Sequence, residues 1–181
     1  MRSDGHERQV MAGEQEKTVE GLKTALQMEI DGKEFYTKAS KQSNNELGKK
    51  LLETLASEED YHRIVFTSIY ESIRKREGWP KVDFHPDGGA SLRTVFSQNM
   101  APEVKVSKSE LEAVTTARAM ETRTYDFYQQ QKRQSTEAAQ RDFYDKLAAQ
   151  EQEHNLLLAD YYEYLQNPAG WFVKKEHPSL D

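Results

Sequence analysis

The sequence predicts an all-α fold, a four-helix bundle built from two antiparallel helical hairpins. Four long segments place apolar residues at helical spacing, and Gly and Pro fall almost entirely between these segments. The two halves of the chain also align with each other, without a gap, at an offset of 92 residues. With 181 residues, the chain is long enough for one domain with a sizeable core.

The four helices have recognisable ends. The second stops at Gly78, which Pro80 follows closely, a pair typical of helix termini. The third begins near Ser107, whose spacing to Glu110 is that of a capping box. The fourth ends before Pro168, because proline cannot continue a helix. The helices are therefore expected over residues 18–41, 45–77, 107–133 and 135–166.

The connections between the helices are unequal in length. Short links within each hairpin make its two helices antiparallel neighbours, whereas the crossover 78–106 can run the full length of the bundle, with a short extra helix expected at 91–99. Two hairpins joined by one long crossover is the topology of ferritin-like bundles. The bundle is assigned to residues 18–166, with a flexible arm expected at 1–17 and a tail at 167–181 that packs on the bundle or on a second subunit.

The composition excludes several classes of function. The formal net charge of −6 argues against nucleic acid or an anionic membrane as the main partner. The chain has no cysteine, so disulfides, zinc ribbons, thiol catalysis and a rubredoxin-type iron centre are excluded. No apolar run approaches the roughly 18–20 residues that a membrane span requires, and the N-terminus lacks a signal-peptide core. Any metal must be held by histidine and carboxylate.

Two Glu-x-x-His motifs, beginning at Glu59 and Glu151, occupy equivalent positions of the repeat. Residues i and i+3 of a helix share a face, so each motif can offer a carboxylate and an imidazole to one metal ion. Glu29 and Glu121 precede these motifs by 30 residues each. A glutamate from each of two helices and Glu-x-x-His from the other two is the ligand set of dinuclear carboxylate sites in bundles. The expected metal ligands are Glu29, Glu59, His62, Glu121, Glu151 and His154.

Charge supports a dinuclear metal site over the alternative of solvated residues left from a duplication. Four buried glutamates carry four negative charges, which two divalent cations neutralise. Iron or manganese suits these ligands, and zinc or cobalt could occupy the site in a preparation. We expect Glu29 and Glu121 as terminal ligands, with one histidine per metal, and Glu59 and Glu151 as bridges, leaving open positions for O₂, peroxide or water.

Other polar residues lie near this pattern. Tyr36 and Tyr128 each follow a predicted ligand glutamate by seven residues, or two turns, and are expected to hydrogen-bond a ligand carboxylate and orient it. The alternative is that both are core tyrosines with satisfied hydroxyls. Residues expected to stay outside the site are Glu58, Asp60, Glu153, His6, His85 and His177.

These motifs, together with the ending from Asp160 to Leu165 and the pair Trp171-Phe172, resemble the rubrerythrin branch of the ferritin-like superfamily. The resemblance runs from about Val19 to the end of the chain. It implies a di-iron site, a cytoplasmic bacterial or archaeal protein, often a homodimer, and reaction with hydrogen peroxide or O₂.

Two departures from that family pattern bear on function. A rubredoxin domain feeds electrons to the site in full rubrerythrins, and without cysteine this chain would need an external electron-donor protein. Their extra glutamate, three residues after the third-helix ligand, is replaced here by Thr124. The leading hypothesis is an oxidoreductase that oxidises Fe(II) with peroxide or O₂. The alternatives are iron binding without turnover and an interaction bundle with a vestigial site.

Overall fold

The computed structural model describes residues 3–171, and that range contains helices and no strand. The helices are α1 (Ser3–Gln42), α2 (Glu46–Arg74), α3 (Ala90–Asn99), α4 (Lys108–Gln134) and α5 (Ala138–Gln166). The helix α1 packs along α2, and α4 packs along α5, while α3 in the crossover lies against α2 and α5. The predicted fold of two helical hairpins joined by a long crossover is therefore confirmed. None of the helices in the described range is long and apolar enough to cross a membrane.

Local hydrogen bonds define where the helices begin and end. Ser107 caps α4 by accepting a hydrogen bond from the Glu110 amide at 3.2 Å, as the capping-box spacing predicts. Asn45 caps α2 in the same way, accepting from the Gly48 amide at 2.7 Å. The helix α2 ends at Arg74, before the predicted terminus, because the chain turns through a left-handed conformation already at Arg76, with φ of 63°.

The helix α1 begins at Ser3 and so includes most of the segment for which the sequence predicts a flexible arm, residues 1–17. The segment lacks the apolar periodicity of a buried face, which placed the predicted start at Thr18. It nevertheless contains several Glu, Gln, Arg and Met residues, which are good helix formers. The Gln15 side-chain amide lies 3.5 Å from the Ile73 carbonyl, so this extension reaches the end of α2.

Two apolar clusters fill the bundle, and every long helix contributes to both. The first cluster includes Tyr36, Leu51, Leu55, Leu92, Phe96, Val114, Leu158 and Tyr164. The second includes Leu22, Ala25, Phe66, Ile69, Phe84, Tyr128, Phe143 and Leu147. Along each long helix, the predicted metal ligands separate the residues of one cluster from those of the other. The fold thus sandwiches a polar layer between two apolar ones.

At one end of the bundle, a group of hydrogen bonds converges on the buried side chain of Glu110, and we call this group the polar knot. A single carboxylate oxygen of Glu110 accepts hydrogen bonds from Ser43 at 2.6 Å, Asn45 at 2.6 Å and Tyr161 at 2.7 Å. Gly48 lies directly against this knot, where an added Cβ would overlap the Tyr161 hydroxyl and the Glu110 carboxylate. The knot therefore requires glycine at position 48, although the residue lies within a helix.

Replacing Gly48→Ala should lower the free energy of unfolding by about 1–3 kcal/mol, because the new methyl group must displace the knot. Denaturant unfolding measures the change. Gly13→Ala is the matched control, since Gly13 is also helical but nothing lies within 4 Å of its added Cβ, so it should gain stability. A Gly48→Ala protein as stable as the Gly13→Ala protein would contradict this account of the knot.

Candidate metal centre

Six acidic and imidazole side chains from four helices meet in the polar layer, each at most 4% exposed. They form two overlapping groups whose potential ligand atoms lie within 4.8 Å of one another. The first group is Glu29, Glu59, His62 and Glu151, and the second is Glu59, Glu121, Glu151 and His154. Because Glu59 and Glu151 belong to both groups, they stand where bridging ligands would, while each group has its own terminal glutamate and histidine.

A helical glycine makes room for one of the shared carboxylates. Gly32 lies one turn after Glu29, and an added Cβ there would stand 3.2 Å from the Glu59 Oε2 atom. Glycine within a helix costs about 1 kcal/mol relative to alanine. The close approach of Glu59 to α1 explains why glycine is favoured at position 32. The residue equivalent to Gly32 in the second hairpin is Thr124.

Both histidines point the Nδ1 atom into the cluster. The Nδ1 atom of His62 lies 3.2 Å from Glu29 and 3.5 Å from Glu151. The Nδ1 atom of His154 lies 3.5 Å from Glu121, 3.6 Å from Glu151 and 3.7 Å from Glu59. The rings are nearly parallel, with an interplanar angle of 12° and centroids 6.2 Å apart. This arrangement matches one imidazole ligand for each of two metal ions.

The two buried tyrosines link the hairpins through the terminal glutamates. The Tyr36 hydroxyl donates a hydrogen bond to Glu121, and the Tyr128 hydroxyl donates to Glu29. Each tyrosine therefore contacts the predicted ligand of the opposite hairpin and not the one that precedes it on its own helix. Burial, reinforced by the nearby carboxylates, raises the pKa of both tyrosines well above the ordinary value, so both remain protonated donors.

The carboxylates are costly to bury without a cation. Burial raises the pKa of Glu59 and Glu151 well above the ordinary value, and raises the pKa of Glu29 to about 7. Burial acts in the same direction on Glu121, but His154 and hydrogen bonds from its neighbours overcome it and lower its pKa to about 2. In the metal-free protein, protons therefore neutralise part of the charge that cations would otherwise balance.

Several inward-facing atoms have no partner in the protein. Both carboxylate oxygens of Glu151 and the Nδ1 atom of His154 are buried without a hydrogen bond. Buried polar atoms in native structures nearly always have a partner, so these three atoms call for a ligand. Four carboxylates and two imidazoles are suitable ligands for a pair of divalent transition-metal ions. The residues present thus fit a dinuclear metal centre.

Glu58 lies against the site, contrary to the expectation that it is solvated. Its Oε2 atom accepts hydrogen bonds from His154 Nε2 at 2.7 Å and from Gln150 Nε2 at 2.8 Å. On a helix, a residue adjacent to a ligand points away from that ligand's own face, which is why sequence reasoning placed Glu58 in solvent. The contact crosses to the opposite hairpin, and helical spacing within α2 carries no signal for it.

The other residues expected outside the site do lie outside it where the structure describes them. Asp60 pairs with Lys33 at 2.9 Å and Arg63 at 2.8 Å, and Glu153 pairs with Arg93 at 2.8 Å. His85 sits in the crossover, exposed and paired with Asp83. The Thr124 hydroxyl donates to the Met120 carbonyl at 3.1 Å. The side chain of His6 and the whole of His177 lie outside the described part of the chain.

The two sides of the centre differ in how they meet the surface. On one side, Phe84 from the crossover packs edge-on against His62, with ring centroids 5.7 Å apart, and covers it. Sequence reasoning missed this residue, because nothing in the crossover signals which side chain turns inward. Between α4 and α5, a small cavity of about 160 Å³ reaches two of the predicted ligands. It is lined by Glu121, Thr122, Tyr125, Glu151, Gln152 and Asn155.

Comparison with known families agrees with this geometry. The model of the family described as Rubrerythrin matches residues 20–162 of the chain. The chain belongs to the rubrerythrin family. The matched range contains all six inward-facing side chains and both tyrosines of this rubrerythrin-family centre. Neither the curated proteins nor the solved structures include a match to the chain.

The metal-free protein should lose thermal stability as the pH rises from about 5 to about 8. The pKa values of Glu29, Glu59 and Glu151 are higher in the folded state than the ordinary value of 4.5. The contribution of these groups to the free energy of unfolding is therefore complete below pH 4.5, and it is lost as the pH rises through their folded-state pKa values. The raised pKa of His154 acts in the same direction, whereas the lowered pKa of His62, whose main cause is burial, opposes it.

Thermal unfolding of chelator-treated protein across this pH range measures the effect. The double variant Glu59→Gln with Glu151→Gln is the matched control, because it removes two of the groups and should flatten the slope. Divalent metal should reverse the trend, since metal binding displaces the protons that the carboxyl groups hold. A slope that is equal in the wild type and the double variant would refute the assignment of these protons to the centre.

Tyr36→Phe should weaken metal binding by about 10-fold, because it removes the hydrogen bond that orients Glu121. Calorimetric titration with Mn(II) measures the affinity. Tyr164→Phe is the control, since the Tyr164 hydroxyl donates to the Ala101 carbonyl at 2.7 Å and takes no part in the centre. Equal affinities for the two variants would show that the tyrosine hydroxyl does not orient a ligand.

Proposed function

We propose that this rubrerythrin-family protein is a non-haem di-iron oxidoreductase that oxidises Fe(II) with hydrogen peroxide or O₂. The observation that carries the proposal is the buried cluster of four glutamates and two histidines, in which two groups of ligand atoms share Glu59 and Glu151. Iron is the proposed native metal, manganese the alternative, and zinc a substitute that a preparation could contain.

Each part of the cluster has a role in this proposal. Glu29 with His62, and Glu121 with His154, would each hold one metal ion, while Glu59 and Glu151 would be shared between the two. Two bound iron ions would supply the electrons that reduce O₂ or peroxide. Tyr36 and Tyr128 hold the terminal glutamates in place by hydrogen bonds from the opposite hairpin. The apolar clusters on either side exclude bulk water from the polar layer.

The cavity between α4 and α5 supports a small oxidant. At about 160 Å³, it has room for O₂, peroxide or water but not for a large organic substrate. Its walls include the terminal glutamate Glu121 and the shared glutamate Glu151, so a molecule that enters it arrives beside the metal position that Glu121 would hold. Re-reduction of the iron would come from an external electron-donor protein, and a cytoplasmic homodimer is part of the same proposal.

The position of Thr124 favours a second candidate, iron binding without sustained turnover. The extra glutamate of rubrerythrins would stand at this position, and the Thr124 hydroxyl instead bonds the backbone of its own helix. The equivalent position in the first hairpin is Gly32, so neither hairpin offers a further carboxylate there. A protein of this kind would bind and oxidise iron once and release or retain it without repeated cycles.

Anaerobic addition of Fe(II) to metal-free protein should bind two irons per chain, and O₂ or peroxide should then oxidise them faster than the same iron in buffer. Ferrozine assay of the remaining Fe(II) and consumption of each oxidant measure the reaction. The ratio of the two rates identifies the preferred oxidant. Repeated cycles in the presence of a chemical reductant distinguish an oxidoreductase from a protein that only binds iron.

The double variant Glu59→Gln with Glu151→Gln should lose this activity, because it removes both shared carboxylates. Glu153→Gln is its control, since Glu153 neighbours the Glu-x-x-His motif but is tied to Arg93 on the outside of the bundle. The proposal fails if the wild type binds fewer than two irons per chain, or if its iron is oxidised no faster than iron in buffer.

A further inference from the structure

The outward-facing nitrogens of the two ligand histidines have different surroundings. The Nε2 atom of His154 lies 2.7 Å from the Glu58 carboxylate. The Nε2 atom of His62 is buried without a hydrogen bond, and the side chain beside its ring is the neutral amide of Gln150. One imidazole is thus held by a charged acceptor and the other is not.

This difference falls on equivalent positions of the internal repeat. Glu58 and Gln150 are separated by the repeat offset of 92 residues, and each immediately precedes the glutamate of a Glu-x-x-His motif. Each also lies beside the histidine of the opposite hairpin, as the pseudo-two-fold arrangement requires. The six inward-facing residues obey the repeat, so this pair breaks a symmetry that the predicted ligands keep.

The two residues also contact each other in a way that fixes the asymmetry. Gln150 Nε2 donates to Glu58 Oε2 at 2.8 Å, the same oxygen that faces His154. The amide oxygen of Gln150 remains buried without a partner. The Glu58 side chain is only 16% exposed, so water screens its charge weakly. The carboxylate of Glu58 is therefore hydrogen-bonded to His154, whereas it acts on His62 only through space.

We propose that Glu58 is a positioning residue that makes the two metal positions unequal, so that the first metal ion binds between Glu121 and His154. The proposal rests on the dinuclear site of the proposed function. A carboxylate that accepts from the outer nitrogen of a ligand histidine fixes its ring and tautomer and makes the inner nitrogen a stronger ligand. The amide of Gln150 provides no charge of this kind for His62.

Titration of metal-free protein with Co(II), followed by visible absorption, measures the two binding constants. The wild type should bind its first ion about 10-fold or more tightly than its second, and Glu58→Gln should narrow that ratio. The exchange variant Glu58→Gln with Gln150→Glu should restore the ratio, because it moves the same charge to the other histidine. Glu53→Gln, an exposed change elsewhere on α2, is the control and should leave both constants unchanged.

Two further variants assign the order of binding. In the wild-type background, His62→Gln should keep the tight first ion and His154→Gln should lose it, whereas the exchange background should reverse this pattern. The unfolding temperatures of the metal-free variants serve as a check on the fold. A merely structural role of Glu58 would lower the unfolding temperature and leave the ratio of the two Co(II) binding constants unchanged.

The outcomes for the inference and for the proposed function are distinct. A wild type that binds fewer than two Co(II) ions per chain contradicts the dinuclear site itself. Two ions bound with a ratio that Glu58→Gln leaves unchanged overturns the inference alone. The inference is also overturned if, in the exchange variant, His154→Gln still abolishes the tight binding of the first ion.

Discussion

The whole structure depends on burying four carboxylates in one layer of a helical bundle. An unpaired buried carboxylate costs several kcal/mol, so such a layer is stable only with protons, hydrogen-bond donors or cations beside it. The chain supplies two tyrosine hydroxyls and two imidazoles, which is too few for eight carboxylate oxygens. Apolar clusters on both sides keep water out and prevent the layer from relaxing toward solvent. The same burial that stabilises the bundle therefore leaves carboxylates that either protons or cations must neutralise.

The polar layer also joins the two hairpins. Tyr36 bonds Glu121, Tyr128 bonds Glu29, and Glu58 bonds His154, and in each case the partners belong to different hairpins. Contacts within a hairpin follow from its short turn, but docking one hairpin on the other requires specific interactions between them. These hydrogen bonds supply such specificity at mid-bundle, and the apolar clusters supply the bulk of the burial. The relative position of the two hairpins thus sets the distances between the ligand atoms of the centre.

Much of the fold and the centre could be predicted because their signals lie within single helices. Apolar periodicity places the four helices, and the spacing of Glu59 to His62 puts both on one face. The contacts that sequence reasoning missed are made between helices. Helical spacing predicts which face of α1 carries Tyr36, but it does not predict the hydrogen bond from Tyr36 to Glu121 in the other hairpin. It also gives no reason to connect Glu58 with His154. The start of α1 was missed for another reason. Apolar periodicity marks only the part of a helix that has a buried face, whereas a solvated segment can be helical through the propensity of its residues alone.

The internal repeat separates what metal binding requires from what can differ between the two halves. The predicted ligand positions match, as expected if each of two metal ions needs the same kinds of atoms at the same distances. Some positions one residue or one turn away from the ligands differ: Glu58 corresponds to Gln150, and Gly32 corresponds to Thr124. An inner set of ligands with two-fold symmetry cannot by itself distinguish the two metal ions. A chemical difference between them therefore requires residues outside the ligand set, such as Glu58 beside His154 and Phe84 against His62.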